Sequence, residues 1–100
     1  MLRHITMWNF SDDITPEQKK EYAKKIKADL EALNGKIEGM ISLKFEIEPV
    51  LKSDRDVILD TLFTDAQALE RYMTFPDHVK VSEMVKPIRK DRASIDFYVD

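Results

Sequence analysis

The chain has 100 residues, 43% hydrophobic and 35% charged, with no cysteine and a net charge of −3. That length supports one hydrophobic core and not two, so residues 1–100 are expected to form a single domain. The lack of thiols excludes a disulfide framework, a thiolate zinc site and a cysteine nucleophile. The negative balance offers no general attraction for nucleic acid.

The opening MLRHITMWNF has no apolar run long enough for a signal peptide or a membrane span, so a cytoplasmic protein without membrane contact is expected. Within it, residues 3–10 predict a strand with large side chains on both faces. Thr15, Pro16 and Gln18 then spell a helix start: an N-cap, a proline at the first position and the glutamine of a capping box. Tyr22, Ile26, Leu30 and Leu33 form the apolar stripe of that helix, which Asn34-Gly35 ends. Its lysines at 19, 20, 24, 25 and 27 are interleaved with Glu17, Glu21, Asp29 and Glu31. This reads as a solvated face crossed by i,i+4 pairs and not as a phosphate-binding surface.

Residues 40–48 alternate, with Ile41, Leu43, Phe45 and Ile47 expected on one face, and residues 56–63 predict a third strand apolar on both faces. Thr64 and Gln67 predict a second capping box, opening a helix through Ala66, Leu69 and Met73. Pro76 breaks it, and Val81, Met84, Val85 and Ile88 resume helical spacing until Pro87 loosens the end. Ala93, Ile95, Phe97 and Val99 share one face of a last strand.

The order β-α-β-β-α-β, with the second helix broken, predicts an α+β domain of ferredoxin-like topology. Its antiparallel four-stranded sheet is expected in the order 4-1-3-2, with the helices on one face. Large residues such as Trp8 fall on both faces of the central strands, so something must cover the second face. A second copy of the sheet is the simplest cover, and a homodimer is expected.

Tyr72 and His78 lie six residues apart in YMTFPDHV. On an unbroken helix that spacing turns about 600° and leaves the side chains about 120° apart. Pro76 disfavours helical geometry at Phe75, so a corner there lets the two converge. Asp77, as N-cap of the following helix, is expected to orient His78. A histidine near its ordinary pKa suits removal of a proton beside a carbonyl, and a phenol alongside suits hydrogen bonding to the oxygen that gains charge.

HITMWNF near the start, YMTFPDHV late in the chain and the terminal IDFYV together resemble the stress-responsive A/B barrel (Dabb) domain family from His4 to Val99. The resemblance implies a dimeric α/β barrel. The family pattern at the corner is Tyr-x-x-His-Pro-x-His. Tyr72, Pro76 and His78 match it, whereas Phe75 stands where the first histidine is usual. In plant polyketide cyclases of this family the matching histidine acts as base and the tyrosine assists an aldol cyclisation. His4, Tyr72 and His78 are accordingly expected to line a cavity between helices and sheet, with His78 and Tyr72 catalytic and His4 binding substrate. The expected activity is a cofactor-independent cyclase or lyase acting on a small molecule. A non-catalytic homodimer and a small monooxygenase of the same architecture are the alternative readings.

Two further features remain open in the sequence. His4, His78 and Asp60 compose a possible two-histidine, one-carboxylate metal set, though without local ligand spacing no metal site is expected. The run KPIRKDR at 86–92 suits either an anionic ligand or the end of a helix dipole.

Overall fold

The computed structural model describes all 100 residues. In chain order the elements are β1 (Leu2–Phe10), α1 (Pro16–Glu31), β2 (Met40–Glu46), β3 (Val57–Phe63), α2 (Ala66–Thr74), α3 (Pro76–Val85), a 3-10 turn (Lys86–Ile88) and β4 (Arg89–Tyr98). The sheet runs β2-β3-β1-β4 with every neighbouring pair antiparallel, which is the expected ferredoxin-like order. The sheet of the single chain stays open and does not close into a barrel.

The central strands decide which side is the core. Along β1, Leu2, His4, Thr6, Trp8 and Phe10 are buried while the residues between them are half-buried. Along β3, Val57, Leu59, Thr61 and Phe63 behave likewise. Side chains alternate along a strand, so one face of the sheet lies under the helices and the other lacks cover. The buried side chains Ile26, Leu30, Leu33, Phe45, Phe63 and Val85 belong to a single core cluster. Each such apolar side chain contributes about 1.5–3 kcal/mol on full burial.

The start of α1 is as expected. The Thr15 side chain accepts from the Gln18 N–H at 3.2 Å, and the Gln18 side chain accepts from the Thr15 N–H at 2.9 Å. The stripe is as expected, with Ile26, Leu30 and Leu33 buried and Tyr22 half-buried against the core, and Ala23 is buried beside it. Asn34 does more than end the helix. Its side-chain amide donates to Leu43 O and accepts from Leu43 N–H, both at 3.0 Å. Glu31 accepts from Phe45 N–H at 3.1 Å, and Lys27 donates to Phe45 O at 2.7 Å. Side chains from α1 and its terminus thereby satisfy the free edge of β2, which would otherwise present unpaired backbone to another strand.

Three expected details are corrected. The register of β2 shifts between Met40 and Ser42, so Met40 turns inward and Ile41, expected beside Leu43, turns out. The cap of α2 is Asp65 and not Thr64: its carboxylate accepts from the Ala68 N–H at 2.9 Å, while the Thr64 N–H donates to Gly39 O. Finally, β4 begins at Arg89, earlier than expected. Its apolar residues Ala93 and Ile95 pair with Met7 and Ile5 on the face away from the helices.

The two glycines share a left-handed φ of +84° and +85° but not their surroundings. A Cβ on Gly35 meets nothing within 4 Å, whereas one on Gly39 lies 2.6 Å from the Ala68 Cβ. Gly35→Ala is expected to lose about 1–2 kcal/mol from backbone strain alone. Gly39→Ala is expected to lose about 2–5 kcal/mol, because overpacking against α2 adds to the same strain. Urea unfolding of the two variants checks this; equal losses would show that the Gly39 contact is relaxed at little cost.

Candidate functional site

Phe75 holds an extended backbone, φ −63° and ψ 127°, between two helices. Its N–H donates to Tyr72 O at 3.2 Å and its carbonyl accepts from the Val79 N–H at 3.0 Å. The corner therefore closes α2 and opens α3 in a single residue, as the clash of a proline ring with the preceding helical backbone requires. Across it the rings of Tyr72 and His78 come to 4.1 Å between centroids, with 44° between their planes. The ring of His4, on β1, lies 6.5 Å from that of Tyr72. All three line a cleft of about 80 Å³ between the sheet and α3, together with Thr6, Trp8 and two arginines of β4.

Tyr72 is wholly buried (0% exposed), and its hydroxyl has no hydrogen-bond partner in the chain. Burial pushes the phenol far above its ordinary pKa, so it remains a protonated donor at any physiological pH. The Trp8 indole N–H in the same cleft is also buried and unpartnered.

The two histidines are held differently. In His78, Nδ1 lies 3.3 Å from Met73 O; a carbonyl only accepts, so Nδ1 carries the proton. In the neutral ring Nε2 is then the basic nitrogen, and nothing in the chain bonds it. Burial lowers the His78 pKa below its ordinary value, and the charge of His4 adds to the effect, against the opposing pull of the Met73 carbonyl. In His4 both nitrogens are engaged: Nδ1 donates to the Asp96 carboxylate, and Nε2 lies 3.1 Å from the Thr6 hydroxyl.

Several expectations for the site are corrected. Asp77 does not cap α3; Phe75 holds that position with no side-chain cap, and Asp77 sits in the first turn, 4.0 Å from Lys36. His78 is oriented instead by the Met73 carbonyl in the last turn of α2. Asp60 lies on the uncovered face of the sheet, 2.6 Å from Arg3, so it cannot join His4 and His78 as a metal ligand. No group of three histidine, aspartate or glutamate side chains is placed to hold a metal. Only Lys86 of the basic run meets a helix end, as the C-cap of α3; residues 86–88 form the 3-10 turn and Arg89 already begins the strand. The loop between β2 and β3 borders a separate groove of about 630 Å³ against α1, lined by Lys20, Lys24 and Leu51 among others, and lies away from the histidine cleft.

Asp96 is absent from the sequence-based site. It pairs in register with His4 across β1 and β4, but the pairing becomes visible only once the strands are aligned. Alternation did place it opposite Ile95 and Phe97, which is the one signal available beforehand.

Fold and cleft define a ferredoxin-like α+β domain with a polar, partly aromatic cavity under its helices. The chain belongs to the stress responsive A/B barrel domain family, whose profile it matches over residues 2–99. A dimeric protein of unknown function from Bacteroides fragilis is similar at 22% identity and TM-score 0.89, covering 98% of this chain and 95% of that one. A Dabb family protein from Mesorhizobium loti shares 23% identity at TM-score 0.75, covering 99% and 96%. A hydroxynitrile lyase from Passiflora edulis superposes at TM-score 0.77 with 12% identity, covering 99% and 93%. No curated protein matches the chain. No helix is long and apolar enough to cross a membrane.

The direction of the His78 shift makes stability depend on pH. Its folded pKa lies below the unfolded value of about 6.5, so between the two the unfolded chain binds the additional proton. The stability contributed by neutral His78 is complete above about pH 6.5 and is lost as pH falls toward the folded value. Urea unfolding from pH 7.5 down to 5.5 is expected to show this decline, with a shallower slope in His78→Gln; parallel slopes would contradict the burial of the ring.

Proposed function

We propose that the cleft binds a small carbonyl compound and that His78 removes a proton from the carbon beside the carbonyl. The observation that carries this reading is the wholly buried Tyr72 hydroxyl without a partner, packed against a histidine whose Nε2 is also free. A buried hydroxyl left unpaired costs about 1–3 kcal/mol, and an oxygen of a bound ligand supplies the acceptor it lacks. In the step, Nε2 of His78 takes the proton, the C–H electron pair moves to the carbonyl oxygen as an enolate, and the Tyr72 O–H donates a hydrogen bond to that oxygen. The imidazolium then returns a proton to carbon. His4, fixed by Asp96 and Thr6, forms the wall behind Tyr72 against which the ligand rests. The step uses only groups of the chain.

The size of the cleft favours a lyase or isomerase over a polyketide cyclase. Pockets for drug-sized ligands run to about 300–1,000 Å³, well above the 80 Å³ here. The Passiflora edulis neighbour, a hydroxynitrile lyase, is a precedent for lyase chemistry on this architecture.

The reading is tested by following α-proton exchange of small ketones, aldehydes and keto acids in deuterium oxide by NMR. The protein is expected to accelerate exchange of at least one. His78→Ala should reduce that rate by about 10²–10⁴-fold, and Tyr72→Phe by about 10²–10³-fold. Tyr72→Phe should leave the unfolding midpoint unchanged or raise it, since no internal hydrogen bond is lost. Absence of accelerated exchange, or exchange that survives both substitutions, overturns the reading.

The protein also acts as a homodimer in this proposal, a second sheet covering the outer face to complete the dimeric α/β barrel. The support is the apolar character of that face, where Ile95 is 57% exposed beside Ile5, and the dimeric state of the Bacteroides fragilis neighbour. Ile95→Lys is expected to shift sedimentation from a dimer to the 11.7 kDa monomer with its fold retained. A dimer that ignores the lysine would place the interface elsewhere.

A further inference from the structure

The arginines of the cleft have no counter-charge. Arg3 pairs with Asp60, Arg55 with Asp54, and Arg71 donates to the Glu38 carbonyl, but Arg89 and Arg92 have neither a carboxylate nor a carbonyl partner. Both line the histidine cleft, where Asp96, the nearby carboxylate of β4, is committed to His4. Arg89 lies 6.0 Å over the ring of Trp8, which lines the same cleft and whose buried indole N–H has no acceptor. Burial, with the adjacent charge of Arg92 as a second cause, lowers the pKa of Arg89. Two like charges, one of them partly desolvated, and an unsatisfied donor thus converge on a single volume. A planar anion satisfies all three, because a guanidinium donates to a carboxylate through parallel N–H bonds. The cleft measures about 80 Å³, well below the roughly 300–1,000 Å³ of a drug-sized site, which restricts it to a small ligand.

We infer that the ligand is a small 2-oxo carboxylate, its carboxylate held by Arg89, Arg92 and the Trp8 N–H and its keto oxygen by the Tyr72 hydroxyl. This assignment rests on the reading of the cleft as a carbonyl site and adds the charge and size of what enters it. It also gives the run KPIRKDR a division of labour. Lys86 and Lys90 pair outside the cleft with Glu83 and Asp12, and the two arginines serve the ligand.

The chain has one tryptophan, so its ¹⁵N-labelled form gives a single indole N–H cross-peak, and that proton lies in the cleft. Titration with 2-oxobutanoate is expected to shift this peak saturably. Arg92→Gln and Arg89→Gln should each weaken the affinity by about tenfold or more, as loss of a charge-assisted pair requires. Lys86→Gln, a cation outside the cleft, should leave it unchanged. Butanone, which lacks the carboxylate, and inorganic phosphate, which lacks the carbonyl, should bind more weakly than the keto acid. Butanone binding as tightly as 2-oxobutanoate, phosphate binding more tightly, indifference to both arginine variants, or no saturable shift would each overturn the inference. His78→Ala separates the two claims. In that variant arginine-dependent binding should persist while exchange is lost, whereas arginine-dependent binding with no α-proton exchange in the unsubstituted protein refutes the base and keeps the anion site. Exchange of butanone protons without any preference for the keto acid does the reverse.

Discussion

The alternation of β1 through the centre of the sheet is the constraint on which the remaining structure depends. Leu2, His4, Thr6, Trp8 and Phe10 must face the helices because the residues between them face the other way. One period of two thus places a histidine, a threonine and an indole N–H beneath α2 and α3, and sends Ile5 and Met7 to the uncovered side. A slip of one residue would exchange the two sets and leave no cleft. The sheet is pinned against that slip by its pairing on both sides of β1, and His4 adds its own bond to Asp96.

The corner at Phe75-Pro76 is the second element of the design. Helical backbone cannot continue through it, so α3 starts in a new direction and carries His78 back over Tyr72. The same corner leaves the Met73 carbonyl near the imidazole, which fixes the tautomer of His78. A backbone break thereby does the work that the sequence assigns to the Asp77 side chain. Where the family pattern has its first histidine, Phe75 packs against the core cluster instead, and β1 and β4 add His4, Thr6 and two arginines to the Tyr72 and His78 of the helices.

Charge is sorted by face. Asp60 and Arg3 neutralise one another on the outer face, among residues that a partner sheet would cover. On the inner face Asp96 is taken up by His4, while Arg89 and Arg92 stay unpaired. The protein as a whole is acidic, yet its cleft is locally basic, because net charge constrains solubility and says nothing about where individual charges fall.

What the sequence by itself determined is the local part: where most elements lie, the capping box of α1, the corner at Pro76 and the ferredoxin-like order. Each of these follows from the propensities and hydrophobic periods of neighbouring residues, which act over a few positions of chain. Tyr72 and His78 were legible as candidates because the break between them is a local fact, and His4 was legible through the resemblance to the family. The register was decided only in the tertiary structure. The bulge that turns Ile41 outward, the pairing of Asp96 with His4, the placing of Asp60 with Arg3 and the two arginines beside Trp8 all depend on which residue of one strand stands opposite which residue of another. Those pairings join positions as much as 92 residues apart. They are selected by the packing of the whole core, and no short stretch of sequence contains that information.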